Sequence, residues 1–402
     1  LIDCDPGPSS RPFSGGGRQA LKWMEQANLF LVPLDDKGTW YRYHHLFREL
    51  LQHRLLSEAS KESVARLHAR AADWFAEQGL PEETLRHVLA AGDGPRAARL
   101  VERQRHALLD GEDWNTLLRW VDLLPEDLIH QRPGLLLVRA WHQQWRWQYA
   151  TMPPLLESAE ELLSRDPEAT TEAERQILRG EIDALWSALS FARGDGRRCL
   201  EYAQRAGEHL PPELVYVRST LFEYLAWGYQ MTGQAQRGIH IVEGALASDE
   251  AREVLFSARM LLALAVIYYL SGDLRLQEQM ASRLLRLAPE RSLALSRPWA
   301  YLIAGVACYQ KNRLEEAATH FLAVTEHPYT ANAATSTRMI QKFGVSANTT
   351  TATMFQQPGK PAKELSFVFM RVSAKYMADV NVMMMMANQP VHPGNRPDLN
   401  RA

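Results

Sequence analysis

One turn recurs four times in this chain at almost constant spacing. It is carried by "SFARGDGRRCLEYAQRA", "GYQMTGQAQRGIHIVEGA", "YYLSGDLRLQEQMASRL" and "CYQKNRLEEAATHFLAV". The turn residues Gly194, Gly233, Gly272 and Asn312 stand 39, 39 and 40 positions apart. Glycine and asparagine are the residues that most readily take the left-handed conformation with which helices end. Seven residues before each turn sits a small residue, Ser187, Ala226, Ala265 or Gly305, where two helices of a hairpin can approach closely. Nine and twelve residues after it the positions stay apolar: Ala203 and Ala206, Val242 and Ala245, Ala281 and Leu284, Phe321 and Val324. A helix pair that cannot bury its apolar face alone must stack on its neighbours. The expected fold is therefore all-α, a tetratricopeptide-like helical-repeat superhelix. "WFAEQGLPEETLRHVLAAG" fits the same frame around Gly79, with Ala72 before it and Val88 and Ala91 after, so the array is expected to begin near residue 60.

The rest of the composition excludes more than it suggests. Forty-five Lys and Arg against 47 Asp and Glu leave a formal charge of −2, so no global field recommends DNA, an anionic membrane or an acidic substrate. Cys4, Cys199 and Cys308 are widely spaced and have no partner histidine at ligand spacing, which argues against a disulfide or zinc framework and fits a reducing, cytoplasmic setting. No run of about 18 apolar residues suggests a membrane span, and "LIDCDPGPSSRPFSGGG" lacks the build of a secretory signal. The chain starts at Leu1 rather than Met and is expected to be an excerpt of something longer.

Ahead of the array the pattern differs. Residues 18–31 read as a short helix running into a strand, and a hairpin follows: "LFLVPL", the turn "DDKG", then "TWYRYHH", rich in types that suit a pleated surface. Strand alternation puts Trp40, Arg42 and His44 on one face and Tyr41, Tyr43 and His45 on the other, before a helix starts at Leu46. Trp40, Arg42, His44 and His45 are the candidate inter-domain contacts.

The run "ALKWMEQANLFLVPLDDKGTWYRYHHLFRELLQHRL", with "LHARAADWFAEQGLPEETLRHVLAAGDGPRAARLVE" after it, resembles the MalT-like, ATP-dependent LuxR-type transcription regulators. The resemblance is specific at "ANLFLVPLDD" and "WYRYHHLF" and generic over the helices. It implies a P-loop ATPase, a winged-helix segment, a helical sensor that binds a small inducer, and a C-terminal helix-turn-helix that binds DNA. It also implies ATP as the cofactor of an intact member.

Two of those parts are not found. No GxxxxGKS or GxxxxGKT loop occurs, and "SGGGRQALK" has neither the spacing nor the Lys-Ser pair, so no cofactor is expected in this chain. Past about Tyr329 the repeat character is lost. "MIQKFGVSANTTTATM" has the outline of a helix-turn-helix with Asn348 and Thr349 as candidate DNA contacts. Its threonine run is costly in a recognition helix, about half a kcal/mol per residue relative to alanine. A degenerate fifth repeat at "MFQQPGKPAKELSFVF" or a partly disordered tail is preferred.

The expected organisation is a winged-helix remnant with β-hairpin over 1–56, a helical linker and first repeat over 57–130, the sensor repeats over 131–330 and an atypical tail over 331–402. No catalytic or metal-binding constellation is recognisable, since HExxH, a Cys-His cluster and a Gly-x-Ser-x-Gly elbow are all absent, and no enzyme is expected. The candidate effector surface is a ladder of rings near the ends of first helices: Trp186, Trp227, Tyr229, Tyr268, Tyr269 and Tyr309. Equivalent positions in a superhelix line one surface, although inter-helix packing is the simpler use for such rings and the preferred one. The expected partner is a small-molecule inducer or a regulatory protein, with self-association, no membrane, and DNA only through a domain missing here. The alternative is a helical-repeat scaffold for protein–protein interaction.

Overall fold

A computed structural model describes residues 23–27, 30–34, 41–146, 148–165, 171–287 and 296–326. Trp40, Asn348, Thr349 and all of 331–402 lie outside them. The chain divides into two compact units, one of residues 1–101 with 123–128, the other of 102–122 with everything from Ile129 onward.

In the first unit, β1 (Leu31–Pro33) pairs antiparallel with β2 (Tyr41–Tyr43), Val32 standing opposite Arg42. Phe30, at φ 56°, accepts the His44 backbone N–H at 2.7 Å, and its ring stacks on Phe47 at 5.2 Å. Tyr43 meets the same Phe47 ring edge-on at 5.5 Å. The three rings join the hairpin to α1 (His45–Glu58).

Helix α1 starts one residue earlier than the pattern predicts, and this corrects the strand alternation. His45 is helical and His44 precedes it, so the two imidazoles lie side by side with centroids 4.4 Å apart instead of on opposite faces. No residue of α1 is buried, and Leu46, Leu50 and Leu56 are more than 60% exposed.

The first array hairpin is α2 (Lys61–Glu77) and α3 (Pro81–Ala90), turning at Gly79 with φ 67°. Ser60 caps α2 by accepting the Ser63 N–H, and Pro81 opens α3, where its missing donor costs nothing. Ala72 and Val88 are buried as the frame requires, while Ala91 is half-buried. Helix α4 (Gly94–Asp110) follows, its residues from Glu102 onward belonging to the second unit.

In the second unit come α5 (Trp114–Asp122), α6 (Glu126–His130), which begins in the first, α7 (Pro133–Trp145) and α8 (Pro153–Arg165). Four hairpins then succeed one another: α9 (Glu172–Ala192) with α10 (Gly196–His209), α11 (Val215–Met231) with α12 (Ala235–Leu246), α13 (Val254–Leu270) with α14 (Leu274–Leu287), and α15 (Ser296–Gln310) with α16 (Leu314–Glu326). This is the tetratricopeptide-like array that the spacing predicts. Gly194, Gly233, Gly272 and Asn312 all have φ between 59° and 79°.

The small positions are where helices touch. Ser187 Oγ donates to the Cys199 carbonyl at 2.8 Å, and a Cβ on Gly238 would stand 2.6 Å from the Ala226 carbonyl oxygen. Adjacent hairpins are joined by a bond that the spacing did not predict. The carbonyl nine residues before a turn accepts from the preceding hairpin: Tyr224 O from Cys199 Sγ at 3.3 Å, Ala263 O from Trp227 Nε1 at 3.4 Å, and Ile303 O from Gln277 Nε2 at 2.9 Å. Each such bond satisfies a buried donor while fixing the stacking register.

Candidate functional site

Ionisable groups gather in the interior of the second unit, around the first turns of its array. Glu181 of α9 is fully buried and accepts three donors: Arg105 Nη2 at 2.6 Å, His106 Nε2 at 2.9 Å and Trp141 Nε1 at 2.9 Å. Burial alone would raise its carboxyl, but Arg105 and His106 together hold it well below the usual carboxylate range.

One turn along α4, Asp110 Oδ1 accepts the backbone N–H of Tyr216 at 2.7 Å. A carboxylate from 106 residues away thus caps the start of α11. Burial pushes Asp110 up, against the pull of that N–H.

Tyr216 sits edge-on to Trp114 and Trp141, and the Arg259 guanidinium lies 4.6 Å from its ring centroid. Arg259 in turn donates to Glu223 at 2.5 Å. Beside this pair the Tyr224 hydroxyl accepts Gln144 Nε2 at 2.8 Å and meets the Tyr149 hydroxyl at 3.1 Å.

Trp114, His142 and Trp145 form a three-ring cluster, with Trp145 5.6 Å from each of the other two and those two 6.0 Å apart. Burial, with Arg146 adding, pushes His142 down to about 4, so the imidazole is neutral at pH 7. Glu181, Asp183 and Glu223 are each matched by an arginine and Asp110 by a backbone donor, and the Cys199 thiol is pushed up to about 11 by burial. Such a set rigidifies an interior and carries no activated nucleophile. Among the described residues no group of three or more His, Cys, Asp or Glu is placed to hold a metal ion, and no helix is long and apolar enough to cross a membrane.

The predicted ring ladder is distributed between packing and surface. Trp227 packs on Phe191 and Tyr224 at 5.2 and 5.3 Å. Tyr229 is buried, with Arg237 over its ring at 4.7 Å. Trp186 is half-buried, stacks on Tyr202 and donates to Glu160 at 2.8 Å. Tyr268, Tyr269 and Tyr309 are half-buried near the ends of α13 and α15. At the other end of the chain Arg42, His44 and His45 are exposed, and Tyr41 donates to Glu25 at 3.1 Å.

The interior network was not read from the sequence, yet one signal for it was present. Arg259 is the only charge in the apolar run "VLFSARMLLALAV", and a lone charge among buried positions demands a partner.

Residues 14–63, which include the hairpin and α1, match the family described as the MalT winged helix domain. The N-terminal segment is MalT-like. In the same chain the MalT-like segment leads into the helical hairpins. A solved structure also resembles the chain: a Signal Transduction ATPase with Numerous Domains (STAND) protein with a tetratricopeptide repeat sensor, from Pyrococcus horikoshii. The identity is 14% and the TM-score 0.47, covering 92% of this chain and 55% of that one. The chain thus spans little more than half the length of that protein.

Proposed function

We propose that the chain is the regulatory segment of a MalT-like, LuxR-type transcription regulator. Its helical array binds a small-molecule inducer or a regulatory protein, and its MalT-like segment passes that event to neighbouring domains. The observation that carries this reading is the union, in one chain, of a MalT winged-helix match over 14–63 with an array of stacked hairpins. Repeat arrays present extended surfaces suited to recognition, and the interior of this one holds no activated nucleophile among the described residues. ATP binding and DNA binding belong, in this reading, to domains outside these 402 residues.

The effector surface is assigned to the half-buried rings Trp186, Tyr268, Tyr269 and Tyr309, while the buried Trp227 and Tyr229 are assigned to packing. Burial, together with Glu243 and Asp273, raises the Tyr268 hydroxyl, which therefore stays protonated and able to donate to a ligand. Arg42, His44 and His45, exposed beside the hairpin, are assigned to contacts with a neighbouring domain. A thermal-shift screen of the whole chain against sugars, aromatic metabolites and peptides tests the reading. A saturable shift with a small molecule supports an inducer sensor. Shifts with peptides alone favour the protein scaffold instead.

A further inference from the structure

His68 of α2 and His87 of α3 face one another across the first hairpin with their Nδ1 atoms 2.8 Å apart. The ring centroids are 5.0 Å apart, so the separation beyond the nitrogen–nitrogen distance is taken up by the two ring radii, and the nitrogens point head to head. That geometry suits a proton and not a metal. Two imidazoles sharing an ion converge on a point about 2.0–2.1 Å from each nitrogen, and no third ligand group stands near them among the described residues.

A hydrogen bond at this distance needs one N–H and one bare nitrogen between the rings. One imidazole is protonated at Nδ1 and the other presents a lone pair. A first proton from solvent can enter at the outer nitrogen of the donor ring and strengthens the bond by charging it. A second proton has nowhere to go but the accepting Nδ1, where it destroys the bond and leaves two cations in contact. The pair is half-buried, and Phe75 stacks on His87 at 5.2 Å, so water cannot freely screen that repulsion.

The surroundings do not relieve it. On α3, Arg86 opposes a charge on His87, and Glu83, which favours one, is engaged by Arg86. On α2, Asp73 is taken up by Arg96 of α4 at 2.7 Å. Among the described residues neither imidazole hydrogen-bonds a carboxylate. Burial first, then Arg86 and His68, lower His87 from its ordinary value. A group held low in this way stabilises the fold above its unfolded value and loses that contribution as pH falls.

We propose that His68 and His87 form a proton-operated latch on the hairpin that directly follows the MalT-like segment, closed while the pair is neutral or carries one added proton and opened when a second added proton leaves both facing nitrogens protonated. The family match ends at residue 63, inside the first turn of α2, so opening the hairpin loosens the helix into which that segment runs.

Hydrogen exchange of α2 and α3 in the whole chain, corrected for intrinsic rates, tests this at about pH 7.5 and about pH 5. Wild-type protection of these helices should fall at least tenfold more on acidification than that of a His68→Phe, His87→Phe variant. Equal falls would overturn the latch. Imidazole nitrogen NMR of the wild type needs no variant: two titration steps separated by more than about one pH unit support it, and a single ordinary step for both rings refutes it.

Discussion

Arg259 donates a 2.5 Å hydrogen bond to Glu223, 36 residues earlier, and both side chains are less than a tenth exposed. The bond ties α13 to α11 and so fixes two neighbouring hairpins through charge as well as through apolar contact. Burial pushes the Glu223 carboxyl up to about 7 against the pull of Arg259, and Glu223 in turn raises Arg259 against the effect of burial.

Breaking such a pair from one side leaves a buried charge alone. Arg259→Met by itself should destabilise the chain by about 3–5 kcal/mol in chemical denaturation, and Glu223→Leu by a similar amount. The combined variant should recover most of the loss. Additive losses would show that the two residues act independently.

The glycines that matter do so for different reasons. Gly238→Ala would press a Cβ against the Ala226 carbonyl, which is backbone and cannot move aside, and should cost about 1–3 kcal/mol. Gly305→Ala meets the tip of the Phe321 ring at 2.7 Å, which can rotate, and should cost less. Gly233→Ala acts through its φ of 77° and should cost about 1–2 kcal/mol, whereas Asn312→Gly should be neutral or slightly stabilising. Melting temperatures of the four variants check this order.

His142 gives a pH dependence with a definite sign. Its folded value is near 4 against an ordinary 6.5, so the unfolded chain binds the proton first as pH falls. Stability from this group is complete above about 6.5 and is lost as pH falls toward 4. His142→Phe keeps the stack on Trp145 and should show a flatter fall of melting temperature across that window. An unchanged slope would place the proton uptake elsewhere.

The array was legible because its turns need backbone conformations that only Gly and Asn adopt cheaply, and because Ser187, Ala226, Ala265 and Gly305 must be small where helices touch. The interior network was not legible in the same way. Glu181 and Arg105 are 76 residues apart, and a charged residue on a helix ordinarily reads as solvated. Nor can spacing tell a buried ring from a half-buried one, since Trp227 and Tyr268 stand six and four residues before their turns but differ in burial. His45 was misassigned for a local reason: the strand stops at Tyr43, and the period changes from two to 3.6 between two identical residues.

In the proposed reading the array senses an effector through its half-buried rings. Isothermal titration of the strongest small-molecule hit from the thermal-shift screen tests it, comparing wild type with Tyr268→Ala, Tyr309→Ala. The double variant should bind at least tenfold more weakly, with a melting temperature within a few degrees of wild type. Unchanged affinity, or no small-molecule binding by the wild-type chain, would contradict it.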